Sequence, residues 1–223
     1  MNILSGCDKI RFKSILNHEA YAKAHGYTYK YDDKRRTLNS KFDHKIHAIL
    51  DLPVDNEWWF WIDDDAFFTN FDQNFEQLNL SFNDKLMIFA KSPANLNEKW
   101  TYLSSGNFFF KNTQRINEFF KKVLVRDIQE VKKWWNESKF GIFTNGDQDR
   151  IVYELMADEQ IQNLTEIVSF EKFNTRPYHF SYPSEHFLVH FAGVGKKDVA
   201  INNFKNKFNF QTASLVPDKY IEV

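Results

Sequence analysis

The sequence predicts an α/β fold, a mainly parallel sheet flanked by helices, organised as one domain over residues 1–223. Two observations carry that expectation. Strand and helix signals alternate along the chain, as βαβ units require. One strand, Trp58-Trp59-Phe60-Trp61-Ile62, is apolar at every position, the pattern of a strand covered on both faces. No repeat, low-complexity linker or long charge block divides the chain.

The elements follow in order. Asn2 to Ser5 reads as a strand ending in Gly6-Cys7-Asp8. Phe12, Ile15, Leu16, Glu19, Ala22 and His25 recur at helical spacing, and Gly26 stands where that helix closes. Tyr27 to Tyr31 is a second strand, and residues 41–51 predict a second helix stopped by Pro53. The Trp-rich strand comes third. Lys85 to Ala90 and Asn107 to Phe110 are further buried strands, and a long helix is expected over 113–138. Asn145-Gly146-Asp147 opens another helix, Phe187 to His190 is a late strand, and residues 197–223 form a polar tail, helical or extended.

Composition narrows the function classes. Hydrophobic residues make up 43% of the chain and 24 of them are Phe, enough for a large aromatic core. A formal net charge of −1 gives no general attraction to nucleic acid or to an anionic membrane. The single cysteine, Cys7, excludes an internal disulfide and fits a reducing compartment. No leader is evident, and no apolar run approaches the roughly 20 residues that span a bilayer. A cytoplasmic location is expected, with peripheral contact at the inner membrane face left open.

The chemistry concentrates where Trp61-Ile62 runs into Asp63-Asp64-Asp65. Three adjacent carboxylates beside a core repel one another unless positive charge joins them. A divalent cation serves best: Asp63 and Asp65 point one way in an extended turn and Asp64 another. A solvated acidic turn is the plain alternative. Further along, His190-Phe191-Ala192-Gly193-Val194-Gly195-Lys196 offers an imidazole for the metal, two glycines that admit a phosphate to the backbone, and a cation. There is no Gly-rich nucleotide loop, no Cys/His zinc cluster and no serine elbow. A metal held by Asp-x-Asp suits either a phosphohydrolase with an Asp nucleophile or the grip on a nucleotide-sugar diphosphate. The phosphohydrolase pattern wants a small hydroxyl residue where this chain has Phe67. A non-catalytic sugar-binding module is the third reading.

These segments resemble a known family. The chain is similar to the retaining glycosyltransferases of family 34, which include plant xyloglucan xylosyltransferases and yeast galactosyl- and mannosyltransferases. The likeness runs through Asn17 to Tyr27, Lys45-Ile46, Trp61 to Asn70, Ser105-Gly106 to Asn112, Asp147-Gln148, and His190-Phe191-x-Gly193-x-x-Lys196. One departure is Ser104, where the family usually carries Asn, which leaves the donor sugar open. The family's membrane anchor is also lacking, as in a compact bacterial- or viral-like member.

The resemblance implies a GT-A fold and a transferase moving a hexose or pentose from a nucleotide-sugar donor, a UDP-sugar by the family's habit. The acceptor is an oligosaccharide or a lipid-linked glycan. It implies Mn²⁺ or Mg²⁺ on Asp63, Asp65 and His190. Lys196 would hold the diphosphate, Gln148 would face the anomeric carbon, and Asp147 would touch the sugar or cap its helix. Gly6, Lys45, Asp64, Ser104, Ser105, Gly106 and Gly193 complete the donor contacts, with Ser5 or Asp8 near the base. Acceptor recognition is expected in loops 91–103 and 171–186. His25 and His44 read as structural or exposed, Trp134 and Trp135 as core or cleft wall. Phe204, Lys205, Lys207 and Phe208 form either a plain packed helix or, less favoured, a membrane-facing patch.

Overall fold

The computed structural model describes residues 1–38, 40, 42–95 and 97–221. Residue 41, the start of the predicted second helix, lies outside the described residues. So do residue 96 in the first acceptor loop and residues 222 and 223 of the tail. The chain begins β1 (Asn2–Gly6), α1 (Ser14–His25), β2 (Thr28–Asp32), α2 (Asp43–Leu50), β3 (Trp58–Ile62). It continues β4 (Ala66–Phe68), β5 (Met87–Ala90), β6 (Ser104–Lys111), α3 (Gln114–Val125), α4 (Ile128–Trp134), α5 (Glu137–Phe140). The last elements are α6 (Asp147–Ala157), α7 (Glu159–Asn163), β7 (Thr165–Val168), β8 (Leu188–His190) and α8 (Lys197–Lys207).

The main sheet has the order β2-β1-β3-β6-β5-β7. The pairs β1–β2, β1–β3 and β5–β7 are parallel, whereas β6 runs antiparallel to both neighbours. Strand β3 therefore lies between one parallel and one antiparallel partner, not between two parallel ones. Its apolar residues divide by alternation, as a two-residue period requires. Trp59 and Trp61 enter a cluster with Ile46, Ile49 and Phe120, while Trp58, Phe60 and Ile62 enter one with Tyr21, Phe68 and Phe75.

Three local departures from the sequence reading have physical causes. The stretch 113–138 is three helices, because Asp127 and Asn136 accept hydrogen bonds from Gln129 N and Ser138 N and so start new ones. Strand β6 begins at Ser104, earlier than expected, which puts Ser104, Ser105 and Gly106 in the ladder. The short β4 and the half-buried β7 were not legible as strands. At the carboxyl end, α8 buries Phe204 against Phe180, Phe191 and Phe210, and Lys207 donates to Phe180 O at 2.7 Å. That is a packed helix, not a membrane patch.

The strand β4 leaves the main sheet and pairs antiparallel with β8, with Ala66 opposite His190 and Phe68 opposite Leu188. Helix α1 supports this ribbon. Asn17, fully buried, binds Phe68 at both N and O, and His18 Nε2 donates to Ala66 O at 2.8 Å. Gly26 closes α1 at φ 67°, a left-handed cap whose follower Tyr27 N returns to Ala22 O.

Burial pushes the His18 pKa down from 6.5 to about 4. The unfolded chain then binds the proton more readily, so stability is full above pH 6.5 and falls as pH drops toward 4. Between pH 7.5 and pH 5 the cost is about 2 kcal/mol. Urea unfolding of wild type and His18→Gln at both pH values should show the variant lacking that share of the pH slope. Equal slopes in the two proteins would contradict it.

Candidate active site

At the end of β3 the chain turns through Asp63-Asp64-Asp65 and enters β4. Asp63 N donates to Gly106 O at 2.8 Å, which ties the turn to β6. Phe191 N donates to Asp65 O at 2.9 Å, which ties it to β8. These two clamps bring Asp63, Asp65 and His190 together with their ligand atoms within 4.8 Å of one another. His190 Nε2 lies 3.2 Å from Asp65 Oδ1. Gly106 makes room: a Cβ there would stand 2.3 Å from His190 Cε1 and 3.1 Å from Asp63 Oδ2.

Two carboxylates and an imidazole are a donor set that fits a divalent cation such as Mn²⁺ or Mg²⁺. The electrostatics agree with a site built around positive charge. Burial holds the Asp63 pKa up, against Lys45. Asp65 is buried too, and the Lys197 ammonium lies against it. Asp64, buried beside two like charges, is pushed up to about 7, and its Oδ2 finds no hydrogen bond. It faces Arg11 Nη1 at 3.6 Å, away from the other two.

The surrounding cavity holds about 320 Å³ and is lined by Gly6, Arg11, His44, Lys45, Trp61, the three aspartates, Asp147 and Lys197 among others. Lys45 is no solvated helix lysine. It is buried on α2 and contacts Asp147 Oδ2 at 3.1 Å, Asp63 Oδ1 at 3.3 Å and Ser105 O at 2.5 Å. Burial works to lower its pKa, and Asp147 and Asp63 more than reverse that. Asp147 is the first residue of α6, after the cap Gly146; Asp149, not Asp147, accepts from Gly146 N. So the capping alternative for Asp147 does not hold. Gln148 Oε1 accepts from Ser105 N at 3.3 Å, leaving its amide NH₂ available. Ser104 is buried and its Oγ accepts from Gly106 N.

Gly6 forms the opposite wall. A Cβ would lie 2.6 Å from Asp32 O and 3.0 Å from His44 Nε2, so close backbone approach, rather than a turn, demands glycine. His44 is buried against Asp32, and His25 bonds Phe71 O; both are structural, as expected. Ser5 Oγ is taken by Tyr29, and Asp8 by Arg11. Trp134 stacks on Phe140, and Trp135 donates to Gly141 O.

The glycine-rich segment differs in detail from expectation. Gly193 takes φ 73° with open space around it. Lys196 precedes α8 and is exposed, whereas Lys197, the first residue of the helix, sets its Nζ on Asp65. The residues that sequence reasoning missed are Arg11, Lys197, Asn174 and Arg176. The last two lie in the 171–186 loop, which meets the 91–103 loop through Asn174 Nδ2 to Lys91 O and Arg176 Nη2 to Ser92 Oγ.

Residues 5–91 match the model of the galactosyl transferase GMA12/MNN10 family. The structure is similar to that of a glycosyltransferase involved in the glycosylation of the major capsid of PBCV-1. There the TM-score is 0.62 at 18% identity, covering 89% of this chain and 98% of that one. The fold of this chain is the GT-A type. The structure is also similar to that of the galactosyltransferase LgtC in complex with donor and acceptor sugar analogs, with TM-score 0.48 and 10% identity, covering 99% of each chain. A Drosophila β1,4-galactosyltransferase 7 mutant in complex with manganese, UDP-Gal and xylobiose gives TM-score 0.47 at 10% identity, covering 94% of this chain and 74% of that one. No curated protein matches the sequence. No helix among the described residues is long and apolar enough to cross a membrane.

Gly106→Ala should displace the His190 ring and weaken Mn²⁺ binding about tenfold or more, on the scale of losing a ligand's support. Titration calorimetry on the folded variant checks this; unchanged affinity would show that the glycine is not needed for the site.

Proposed function

We propose that the protein is a metal-dependent, retaining glycosyltransferase that moves a hexose or pentose from a nucleotide-sugar donor to a glycan. A UDP-sugar is the donor we favour, in keeping with the family the sequence resembles. The observation that carries this reading is the Asp63, Asp65 and His190 cluster on the wall of a cavity that also presents Lys45, Asp147 and Lys197. A divalent cation held there would neutralise charge on the leaving diphosphate.

The chain's own groups supply the rest. Lys197 sits at the cavity rim and is the cation placed to meet the diphosphate; Lys196, which the motif nominates, lies one residue earlier and faces solvent. Gly193 and Gly195 leave open backbone beside it. Lys45 and Asp147, paired across α2 and α6, offer a donor and an acceptor to sugar hydroxyls. Gln148 offers an amide N–H from the same helix turn. In the retaining step the bond from anomeric carbon to diphosphate oxygen breaks, its electron pair going to the diphosphate. The acceptor hydroxyl bonds the same carbon on the same face and passes its proton to the departing diphosphate. No carboxylate nucleophile is then required, which suits a glutamine at 148.

The acceptor reading rests on the two loops near His190, where Trp100, Tyr178 and Tyr182 expose aromatic faces that sugar rings can cover. A phosphohydrolase is disfavoured by Phe67, fully buried against Phe191 at the position where that pattern wants a small hydroxyl residue. We place the reaction in the cytoplasm, at or near the inner membrane face if its acceptor is lipid-linked.

Purified protein incubated with UDP-galactose, UDP-glucose, UDP-xylose, UDP-N-acetylglucosamine or GDP-mannose should hydrolyse one donor slowly with Mn²⁺ and not after chelation. Asp65→Ala should lower that rate at least about a hundredfold, the scale on which lost transition-state charge stabilisation is read. Turnover of none of them, or turnover indifferent to Mn²⁺, would overturn the reading.

A further inference from the structure

The side of His190 that faces away from Asp65 is buried among polar groups that take no part in the proposed chemistry. Its Nδ1 lies 2.8 Å from Asn174 Oδ1, 3.1 Å from Arg176 Nη1 and 3.1 Å from Asn107 Nδ2. His190, Asn174 and Arg176 are 3%, 0% and 7% exposed, so water does not settle their proton positions.

The hydrogen bonds around Asn174 fix its orientation. Asn174 Nδ2 reaches Lys91 O at 2.9 Å, and a carbonyl can only accept. Asn174 Oδ1 receives Arg176 Nη1 at 2.8 Å, and a guanidinium can only donate. The amide therefore has one orientation, oxygen toward the imidazole. Two acceptors 2.8 Å apart would repel, so the shortest contact of His190 Nδ1 calls for a proton there, donated to Asn174. Arg176 Nη1 and Asn107 Nδ2, both at 3.1 Å, would donate to a bare Nδ1 in the opposite tautomer, which is the competing arrangement. Asn107 agrees: its Oδ1 has no partner as placed, and a half-turn of that amide brings the oxygen to the same N–H.

A neutral imidazole protonated at Nδ1 has a bare lone pair at Nε2. That lone pair faces Asp65 Oδ1 at 3.2 Å, a contact between two electron-rich atoms that a cation between them would relieve.

We propose that Asn174, locked by Arg176 and the Lys91 carbonyl, is a positioning residue that holds His190 in the Nδ1–H tautomer and aims a bare Nε2 at the Asp63 and Asp65 carboxylates. This rests on reading those three side chains as the cation site, and it adds the group that makes the imidazole a ligand before any metal arrives.

The test uses metal-free, full-length protein with ¹⁵N-labelled histidine, and long-range ¹H–¹⁵N spectra in which the His190 signals are those lost in His190→Gln. The wild type should show a pyrrole-type Nδ1 and a pyridine-type Nε2. Asn174→Leu should convert the ring to the Nε2–H form or a mixture and raise the Kd for Mn²⁺ about tenfold or more. Asn174→Asp, which keeps an acceptor toward Nδ1, should restore the Nδ1–H tautomer. A wild-type ring protonated at Nε2 overturns the proposal without any variant, and so does a tautomer unchanged in folded Asn174→Leu. An Nδ1–H wild type that fails to bind Mn²⁺ supports this assignment and removes the metal reading instead.

Discussion

Two carboxylates at the end of one strand and an imidazole far along the chain can share an ion only if the intervening chain returns in a set register. The antiparallel pairing of β4 with β8 sets it. Placing Ala66 opposite His190 puts the imidazole beside Asp65, and a slip of one residue would turn it to the other face of the ribbon. Much of the surrounding structure serves that pairing. Asn17 and His18 on α1 satisfy the backbone of β4, Phe68 packs on Tyr21, and Phe67 packs on Phe191. Because the ribbon has only two strands, it gains its stability from these contacts rather than from the ladder.

The second constraint is charge. Asp63, Asp64, Asp65 and Asp147 lie close together near a core of aromatic side chains, where unpaired carboxylates are costly. Lys45 bridges Asp63 and Asp147, Lys197 meets Asp65, and Arg11 faces Asp64. Each aspartate thus has an internal cation nearby, which offsets part of the cost of burying its charge. On the function proposed above, the same lysines carry amines that a diphosphate or a sugar hydroxyl can attract.

The residues with strong local signatures were legible in the sequence. The all-apolar Trp58 to Ile62 run announced a doubly covered strand, and the carboxylates after it pointed to the cluster that Asp63 and Asp65 form with His190. His190 was legible through its apolar strand and the glycines that follow. What stayed hidden depended on tertiary contacts. Ala66 to Phe68 is too short for a period to show, and its strand character comes from β8. Asp127 and Asn136 look like ordinary polar positions in a long helical stretch until their side chains cap new helices. Lys196 and Lys197 are adjacent and identical in type, so only the start of α8 tells which one turns inward. Asn174 and Arg176 carry no motif at all: they matter because a loop folds under His190, a fact that spacing along the chain does not encode.

The account's central claim is that the β4–β8 register builds a cation site from two carboxylates and one imidazole. Electron–nuclear double resonance on the Mn²⁺-loaded protein measures this most directly, because a coordinated imidazole nitrogen couples to the manganese spin. The account predicts a single nitrogen coupling, abolished in His190→Gln and changed in isotope pattern by ¹⁵N-histidine. Tight Mn²⁺ binding with no histidine nitrogen coupling would contradict it.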